Sequence, residues 1–310
     1  MRIISDYQFV ETSDRGATAA IGNFDGVHLG HRSVIEMARA AVPDAPLGIV
    51  TFEPHPRAYF APDAPPFRLM SSAARASRLA KVGVEKLYQL PFNAALASLT
   101  PFDFAEKILH RGLGLRHVVV GADFCFGKAR AGTAEDLAAF GANLGFGVTI
   151  APLMAQSEQT VSSTAIRRAL SEARTRDAAA MLGHWHRIEG PVIGGEQRGR
   201  ELGYPTANMS IDGLHPPAFG VYAVLVDVLE GAHKGSYHGV ASMGVRPMFG
   251  ENKPNLETFI FDFKGDLYGT PLSVALVEHL RGEEKFDGLE ALITQMDADS
   301  ARARAILAAL

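Results

Sequence analysis

The segment Gly22-Asn-Phe-Asp-Gly-Val-His-Leu-Gly-His31 lies between an apolar run, Ala17 to Gly22, and a stretch with helical spacing, Gly30 to Ala41. It reads as strand, glycine turn, helix. Glycine lets the backbone turn tightly and approach a ligand, while a helix start offers unpaired N–H groups and a positive dipole to an anion. A triphosphate fits that description. His28 and His31, three apart at the turn, can donate imidazole N–H bonds to phosphate oxygens and stabilise charge developing on a leaving pyrophosphate. Surface histidines or a zinc pair would use the same two residues. A closed zinc site needs four ligands, however, and the only cysteine, Cys125, lies far along the chain without a matching spacing.

Outward from this segment, short apolar runs alternate with helix-like segments up to about residue 180. The strands expected are Ala17 to Gly22, Leu47 to Phe52, Lys86 to Leu90, His117 to Val120 and Gly147 to Ala151. The helices expected between them are Gly30 to Ala41, Ser71 to Val82, Pro101 to His110 and Thr133 to Leu144. Stacked βαβ units of this kind predict an α/β domain with a doubly wound parallel sheet, whose ligands sit beyond the carboxyl ends of the strands. From Ile188 the pattern changes to alternating strands broken by glycine: Gly220 to Asp227, His238 to Met243, Leu256 to Phe263 and Ser273 to His279. A small antiparallel β-barrel is expected there, closed by a helix over Asp287 to Ala309. The domain boundary is expected at 183/184, with Leu182 to Arg187 as the hinge.

At 310 residues and 47% hydrophobic content the chain can bury two cores. Its net charge of -4 gives no general attraction to a polyphosphate backbone. The densest basic stretch, Arg167 to Arg176, is interrupted by Glu172 and followed by Asp177, and reads as a solvated helix face, so no nucleic-acid partner is expected. One cysteine makes no internal disulfide, the first residues lack the apolar core of a signal peptide, and no run approaches the roughly 20 apolar residues of a membrane span. A cytoplasmic protein without a membrane partner is expected, as a monomer or weak homo-oligomer.

Three further segments fall near the same sheet edge. Thr51-Phe-Glu-Pro-His-Pro-Arg57 is a proline-stiffened loop suited to a substrate wall. Gly121-Ala-Asp-Phe-Cys-Phe-Gly127 sets Asp123 between glycine and two aromatics; the acid suits an adenosine or metal contact, whereas Phe124 and Phe126 by themselves fit the core. It is one residue too long for a P-loop, and Ala129 replaces the magnesium-binding hydroxyl. Val161-Ser-Ser-Thr-Ala-Ile-Arg167 places hydroxyls at a helix start, where they cap the helix or grip phosphate.

Together these four motifs resemble the adenylyltransferase module of the bacterial bifunctional riboflavin kinase/FMN adenylyltransferase family, one of the HxGH nucleotidyltransferases. The resemblance implies adenylyl transfer from ATP to FMN within residues 1–183, with His28, His31 and Arg167 catalytic. Gly22, Phe24, Asp25, Gly30 and Asp123 are then expected at the cofactor, together with Ser162, Ser163 and Thr164.

In the second half, Gly190 to Asn208 is too glycine-rich for regular structure and carries two arginines, and such an arch can fold over phosphates. It ends in Pro205-Thr-Ala-Asn208, whose hydroxyl and amide oxygens are hard ligands suited to magnesium; an Asx turn is the plainer reading of the tetrapeptide alone. Glu257, on an otherwise apolar strand, must be paired or face a cleft, and is a candidate base for phosphoryl transfer. Gly199 to Asn208, Gly239-Val-Ala-Ser-Met-Gly244, Leu256-Glu-Thr258, Phe261-Asp-Phe263 and Asp266-Leu-Tyr-Gly269 resemble the riboflavin kinase module of the same family. That implies a six-stranded barrel over 184–310, Thr206 and Asn208 at Mg-ATP, Gly199, Arg200, Gly203 and Pro205 at the nucleotide, and Glu257 as base on the ribityl hydroxyl. Met248 and Gly183-His-Trp-His186 depart from the family pattern.

The expected reaction sequence is phosphorylation of riboflavin to FMN, then adenylylation to FAD, with Mg2+ accompanying ATP and flavins as substrates and products. A class I aminoacyl-tRNA synthetase fragment shares the histidine signature but needs a lysine-rich second motif and a basic face, and neither is seen. A flavin-binding regulatory module with only one active domain would bind flavin without the full ATP turnover.

Overall fold

The computed structural model describes residues 1–152, 155–156, 159–194, 204–248 and 251–310, of which 155–156, 159–160, 246–248 and 251–253 are described by their backbone alone. The chain forms two compact units, one of Met1–Ala64 with Arg75–Val161 and one of Pro65–Ala74 with Ser162–Leu310.

The first unit holds a parallel sheet of β1 (Arg2–Ile4), β2 (Thr18–Ile21), β3 (Leu47–Glu53), β4 (Lys86–Pro91), β5 (His117–Gly121) and β6 (Gly147–Ala151), in the order β1-β4-β3-β2-β5-β6. The chain winds from β2 through β3 to β4 in one direction, then crosses to β5 and β6 on the other side. The reversal falls between β2 and β5, the crevice where such sheets take ligands. The connecting helices are α1 (Leu29–Ala41), α2 (Pro56–Phe60), α3 (Ser72–Lys81), α4 (Ala94–Ala97), α5 (Pro101–Asp103, continuing in π geometry over Phe104–Gly112) and α6 (Ala134–Leu144). Local chemistry sets their ends: Thr133 and Asp136 form a reciprocal capping box on α6, and Gly145 at φ 90° stops it. Ile21, Val50, Leu90, Val118 and Val120 pack with Phe104, Ile108 and Leu137 in one core. Each such buried side chain contributes about 1.5–3 kcal/mol. The five expected strands and four expected helices are all present. The edge strand β1 was not anticipated; three residues carry too little pattern, and it is tied down by Asp14, which pairs with Arg2 at 2.8 Å and Lys86 at 2.9 Å. Two short strands, β7 (Ala155–Gln156) and β8 (Gln159–Thr160), pair antiparallel at the end of this unit.

The second unit begins with α7 (Ser163–Ser171) and α8 (Thr175–Leu182), which Gly183 ends at φ 73°. The basic stretch Arg167–Arg176 is therefore not one helix face: Ala173, at φ 59°, breaks it. Arg174 pairs with Glu172 and Asp177, and Arg176 with Glu278. Six antiparallel strands follow, β9 (His186–Pro191), β10 (Thr206–Ser210), β11 (Gly220–Val228), β12 (Gly235–Met248), β13 (Glu251–Ile260) and β14 (Pro271–Arg281), in the order β10-β13-β12-β11-β14-β9. The sheet curls on itself, and Ile193, just past β9, donates its amide to the Asn208 carbonyl of β10 at 2.8 Å. Met209, Tyr222, Val224, Met243, Leu256 and Leu276 fill the concave core. The closing helix α9 (Leu289–Leu307) packs Ala303 and Leu307 on Ala223 and Val277 of the opposite face. The strand expected to run to Phe263 ends at Ile260, because Asp262 turns the chain at φ 57°. Thr175 donates to the Val277 carbonyl at 2.8 Å, so α8 and the stretch after it pack within this unit.

Candidate active sites

In the first unit β2 delivers the glycine turn to the crevice. Phe24 (φ 51°), Gly26 (φ 89°) and Val27 (φ 44°) all adopt left-handed backbone, which for a β-branched residue is a strained conformation held by its surroundings. His28 caps α1: its Nδ1 accepts the His31 amide at 3.2 Å. That bond puts the proton of a neutral His28 ring on Nε2, making Nε2 a donor. By helix geometry the amides of Leu29 and Gly30 have no intrahelical acceptor. A Cβ on Gly30 would lie 3.2 Å from the His28 ring, so glycine there lets the imidazole fold over the helix start. His31 stacks on His28 with ring centroids 3.6 Å apart and planes 15° from parallel, and Phe24 leans on it at 5.1 Å. Burial, reinforced by His28, holds the His31 pKa well below the usual imidazole value. Its Nδ1 is buried and has no hydrogen-bond partner among the described residues. Asp25 is buried within the same turn.

Two other strand ends support this turn. Thr51, fully buried, donates to the Asn23 carbonyl at 3.5 Å, and after the cis Glu53–Pro54 bond His55 caps α2 by accepting the Arg57 amide at 3.0 Å. Arg75, 1% exposed, reaches the Asn23 carbonyl at 3.2 Å, Glu53 at 3.1 Å and Gln89 at 3.3 Å. One guanidinium thus clamps the loop after β2 to the ends of β3 and β4. Nothing in the sequence marks it; Arg75 sits inside an ordinary helical pattern. After β5, Asp123 is exposed, while Phe126 is buried in the core with Phe124 stacked on it at 5.4 Å.

Ser162, Ser163, Thr164 and Arg167 belong to the second unit. The Ser162 hydroxyl caps α7, accepting the Ala165 amide at 3.2 Å, as the capping reading expected. Ser163 and Thr164 lie in its first turn, with Thr164 exposed. Arg167 donates from Nε to the Phe67 carbonyl at 2.6 Å and lies over the Phe67 ring.

The curled sheet brings the second set together. Asn208 and Glu257 are register partners across β10 and β13, so their side chains share a face, and Thr206 lies two residues away on the same face. This face lies opposite the concave core, on the side where α9 packs against β11, β12 and β14. Asn208 is buried, whereas Glu257 and Thr206 are half-buried. Asn255, 2% exposed, donates its amide to Asn208 Oδ1 at 3.3 Å and to Glu257 Oε1 at 3.4 Å. No motif marks Asn255 in the sequence; its only signal is its place two residues before Glu257. Pro205 is exposed beside this face, and Gly199, Arg200 and Gly203 lie outside the described residues, as does the side chain of Met248. The uncharged oxygens of Thr206 and Asn208 with a carboxylate opposite suit a hard cation such as Mg2+. No cluster of three His, Cys, Asp or Glu ligands occurs among the described residues, so such an ion would rely on substrate phosphates as well.

The FAD synthetase family model matches residues 10–165, and the riboflavin kinase family model matches residues 182–307. A bifunctional riboflavin kinase/FMN adenylyltransferase of Pseudomonas fluorescens is 40% identical over 99% of this chain and 98% of its own length. The protein of that name from Escherichia coli K12 is 34% identical over 95% of this chain and 94% of its own. A crystal structure described as a macrolide-efflux protein from Streptococcus pneumoniae superposes with a TM-score of 0.83 at 31% identity, covering 98% of both chains. That likeness carries the fold; the efflux in its description stays with that protein, and among the described residues here no helix is long and apolar enough to cross a membrane. Two matched halves, two separate constellations of polar groups and near full-length identity agree: the chain belongs to the bifunctional riboflavin kinase/FMN adenylyltransferase family.

Proposed function

We propose that residues 184–310 phosphorylate riboflavin from ATP and residues 1–183 adenylylate the resulting FMN to FAD. The ends of the two family matches, at 165 and 182, support a functional boundary near Gly183. In the first step the 5′-hydroxyl of the ribityl chain attacks the γ-phosphorus of ATP, its proton passes to Glu257, and ADP leaves. Thr206 and Asn208 would hold Mg2+, which would supply charge neutralisation on the phosphates. Gly199, Arg200, Gly203 and Pro205 are assigned to the nucleotide in the same step.

In the second step a phosphate oxygen of FMN attacks the α-phosphorus of a second ATP and pyrophosphate leaves. The nucleophile is already ionised, so the protein aligns the groups and stabilises charge without a covalent intermediate. His28, donating from Nε2, and His31 serve the phosphates together with the first amides of α1. Gly22, Phe24, Asp25, Gly30 and Asp123 shape the nucleotide and flavin contacts, and Ser162, Ser163, Thr164 and Arg167 contribute further phosphate donors. The chain acts as a cytoplasmic monomer or weak homo-oligomer without a nucleic-acid partner.

The observation that carries this reading is that Asn208 and Glu257 are register partners on one face, which supports assigning them as magnesium ligand and carboxylate base of one site. Incubation with riboflavin, ATP and Mg2+ is expected to yield one ADP and one pyrophosphate per FAD formed. FAD formation without ADP, or ADP formation without a phosphorylated flavin, would contradict it.

A further inference from the structure

We propose that Asn255 is a positioning residue for phosphoryl transfer, its amide nitrogen orienting Asn208 and Glu257 together. The inference rests on the roles proposed above for those two residues and goes beyond them.

The geometry is specific. A primary amide carries two N–H donors on one nitrogen, and here the two acceptors belong to two different functional groups: Asn208 Oδ1 at 3.3 Å and Glu257 Oε1 at 3.4 Å. Asn255 and Glu257 are two apart on β13, so both side chains leave the same face. On β10, Asn255 pairs with Ser210 and Glu257 with Asn208, which sets the amide diagonal to the proposed magnesium ligand. Across β12 Asn255 pairs with Gly244 and Glu257 with Ser242, so a small residue flanks each. Asn255 is 2% exposed and cannot meet bulk substrate from this position. A buried amide costs free energy unless it is hydrogen-bonded, so its presence on an otherwise packable strand calls for partners of this kind.

The chemical consequence follows from what each acceptor must do. An amide oxygen that binds a cation must present a fixed lone pair, and a donor on the other lone pair sets the plane of the group. A carboxylate that takes a proton from a bound hydroxyl needs the group held still, and a donor on Oε1 fixes the plane of the carboxylate. Asn255 supplies both constraints through one rigid side chain. Loss of the donor therefore loosens base and ligand at once, while leaving the flavin and the sheet in place.

The test compares Asn255→Leu, close in shape and without polar atoms, with Asn255→Ala and with Glu257→Gln. For Asn255→Leu, kcat of riboflavin phosphorylation should fall roughly 10- to 100-fold, the range typical of outer-shell partners, with KM for riboflavin within about twofold of wild type. Independently of turnover, the affinity for Mn2+-ADP measured by calorimetry should weaken roughly 10-fold. Riboflavin affinity measured by fluorescence quenching, and FAD formation from supplied FMN, should stay unchanged. Wild-type kcat and Mn2+-ADP affinity in Asn255→Leu would overturn the inference, as would a change in KM alone or equal damage to both activities. If Glu257→Gln keeps full kinase activity, the base assignment itself fails and the inference with it; if Glu257→Gln is inactive while Asn255→Leu is not, only the inference fails.

Discussion

The imidazole of His28 accepts the backbone amide of His31 while its ring stacks 3.6 Å from the His31 ring. One side chain therefore caps α1, fixes its own tautomer and shields its neighbour. The cap and the proposed catalytic role of His28 can be separated by substitution. Asparagine is a good N-cap and can take over the amide bond, but it cannot place a donor where Nε2 lies. His28→Asn should keep the thermal midpoint within about 2 °C, an effect below roughly 0.5 kcal/mol, and lower FAD formation roughly 100- to 1,000-fold. FMN should accumulate from riboflavin. Near wild-type FAD formation would show that the cap is the whole role of His28.

Arg75 offers a second test within the same unit. Arg75→Met keeps the buried stem and removes the guanidinium that joins Asn23, Glu53 and Gln89. Glu53 keeps partial exposure, 27% of its side chain, so the cost should be about 1–3 kcal/mol in urea unfolding of the first unit. FAD formation should fall while riboflavin phosphorylation persists. An unchanged adenylyl-transfer rate would mean that the strained turn holds its shape without the clamp.

Glu257→Gln removes the proposed proton acceptor and keeps the volume. Riboflavin phosphorylation should drop roughly 100- to 10,000-fold, the usual contribution of a positioned base, and FAD formation from supplied FMN should continue. Retained phosphorylation would remove Glu257 from the reaction.

His186 gives the second unit a pH dependence. Burial first, then His184 and His215, lower its pKa to about 3, so the folded state keeps it neutral while the unfolded chain protonates it near 6.5. The stability it secures is complete above pH 6.5 and is lost as the pH falls toward 3. Between pH 7 and pH 5 the loss is about 2 kcal/mol. Urea unfolding of wild type and His186→Phe at the two pH values measures it; an equal decline in both would place the acid sensitivity elsewhere.

The fold was largely legible because its signals are periodic. Alternating βαβ segments gave the parallel sheet, and β2 with its glycine turn located the crevice. Runs of three residues such as β1 fell below what a period can show. Candidate site residues stand out in the sequence where a local motif marks them, as with His28, His31, Asn208 and Glu257. Arg75 and Asn255 do not, since their roles come from strand ends and register partners far apart in sequence. Ser162 shows the converse: its hydroxyl was visible, but only coordinates show that it caps α7.

The central claim is that two chemically separate sites act in succession, joined by a diffusible FMN. Mixing Glu257→Gln with His28→Asn in equal amounts, with riboflavin, ATP and Mg2+, tests it most directly through chromatographic separation of the flavins. Each variant alone should form almost no FAD, and the mixture should restore it. A mixture that makes no FAD while each variant remains folded, or a single variant that makes FAD from riboflavin unaided, would contradict the account.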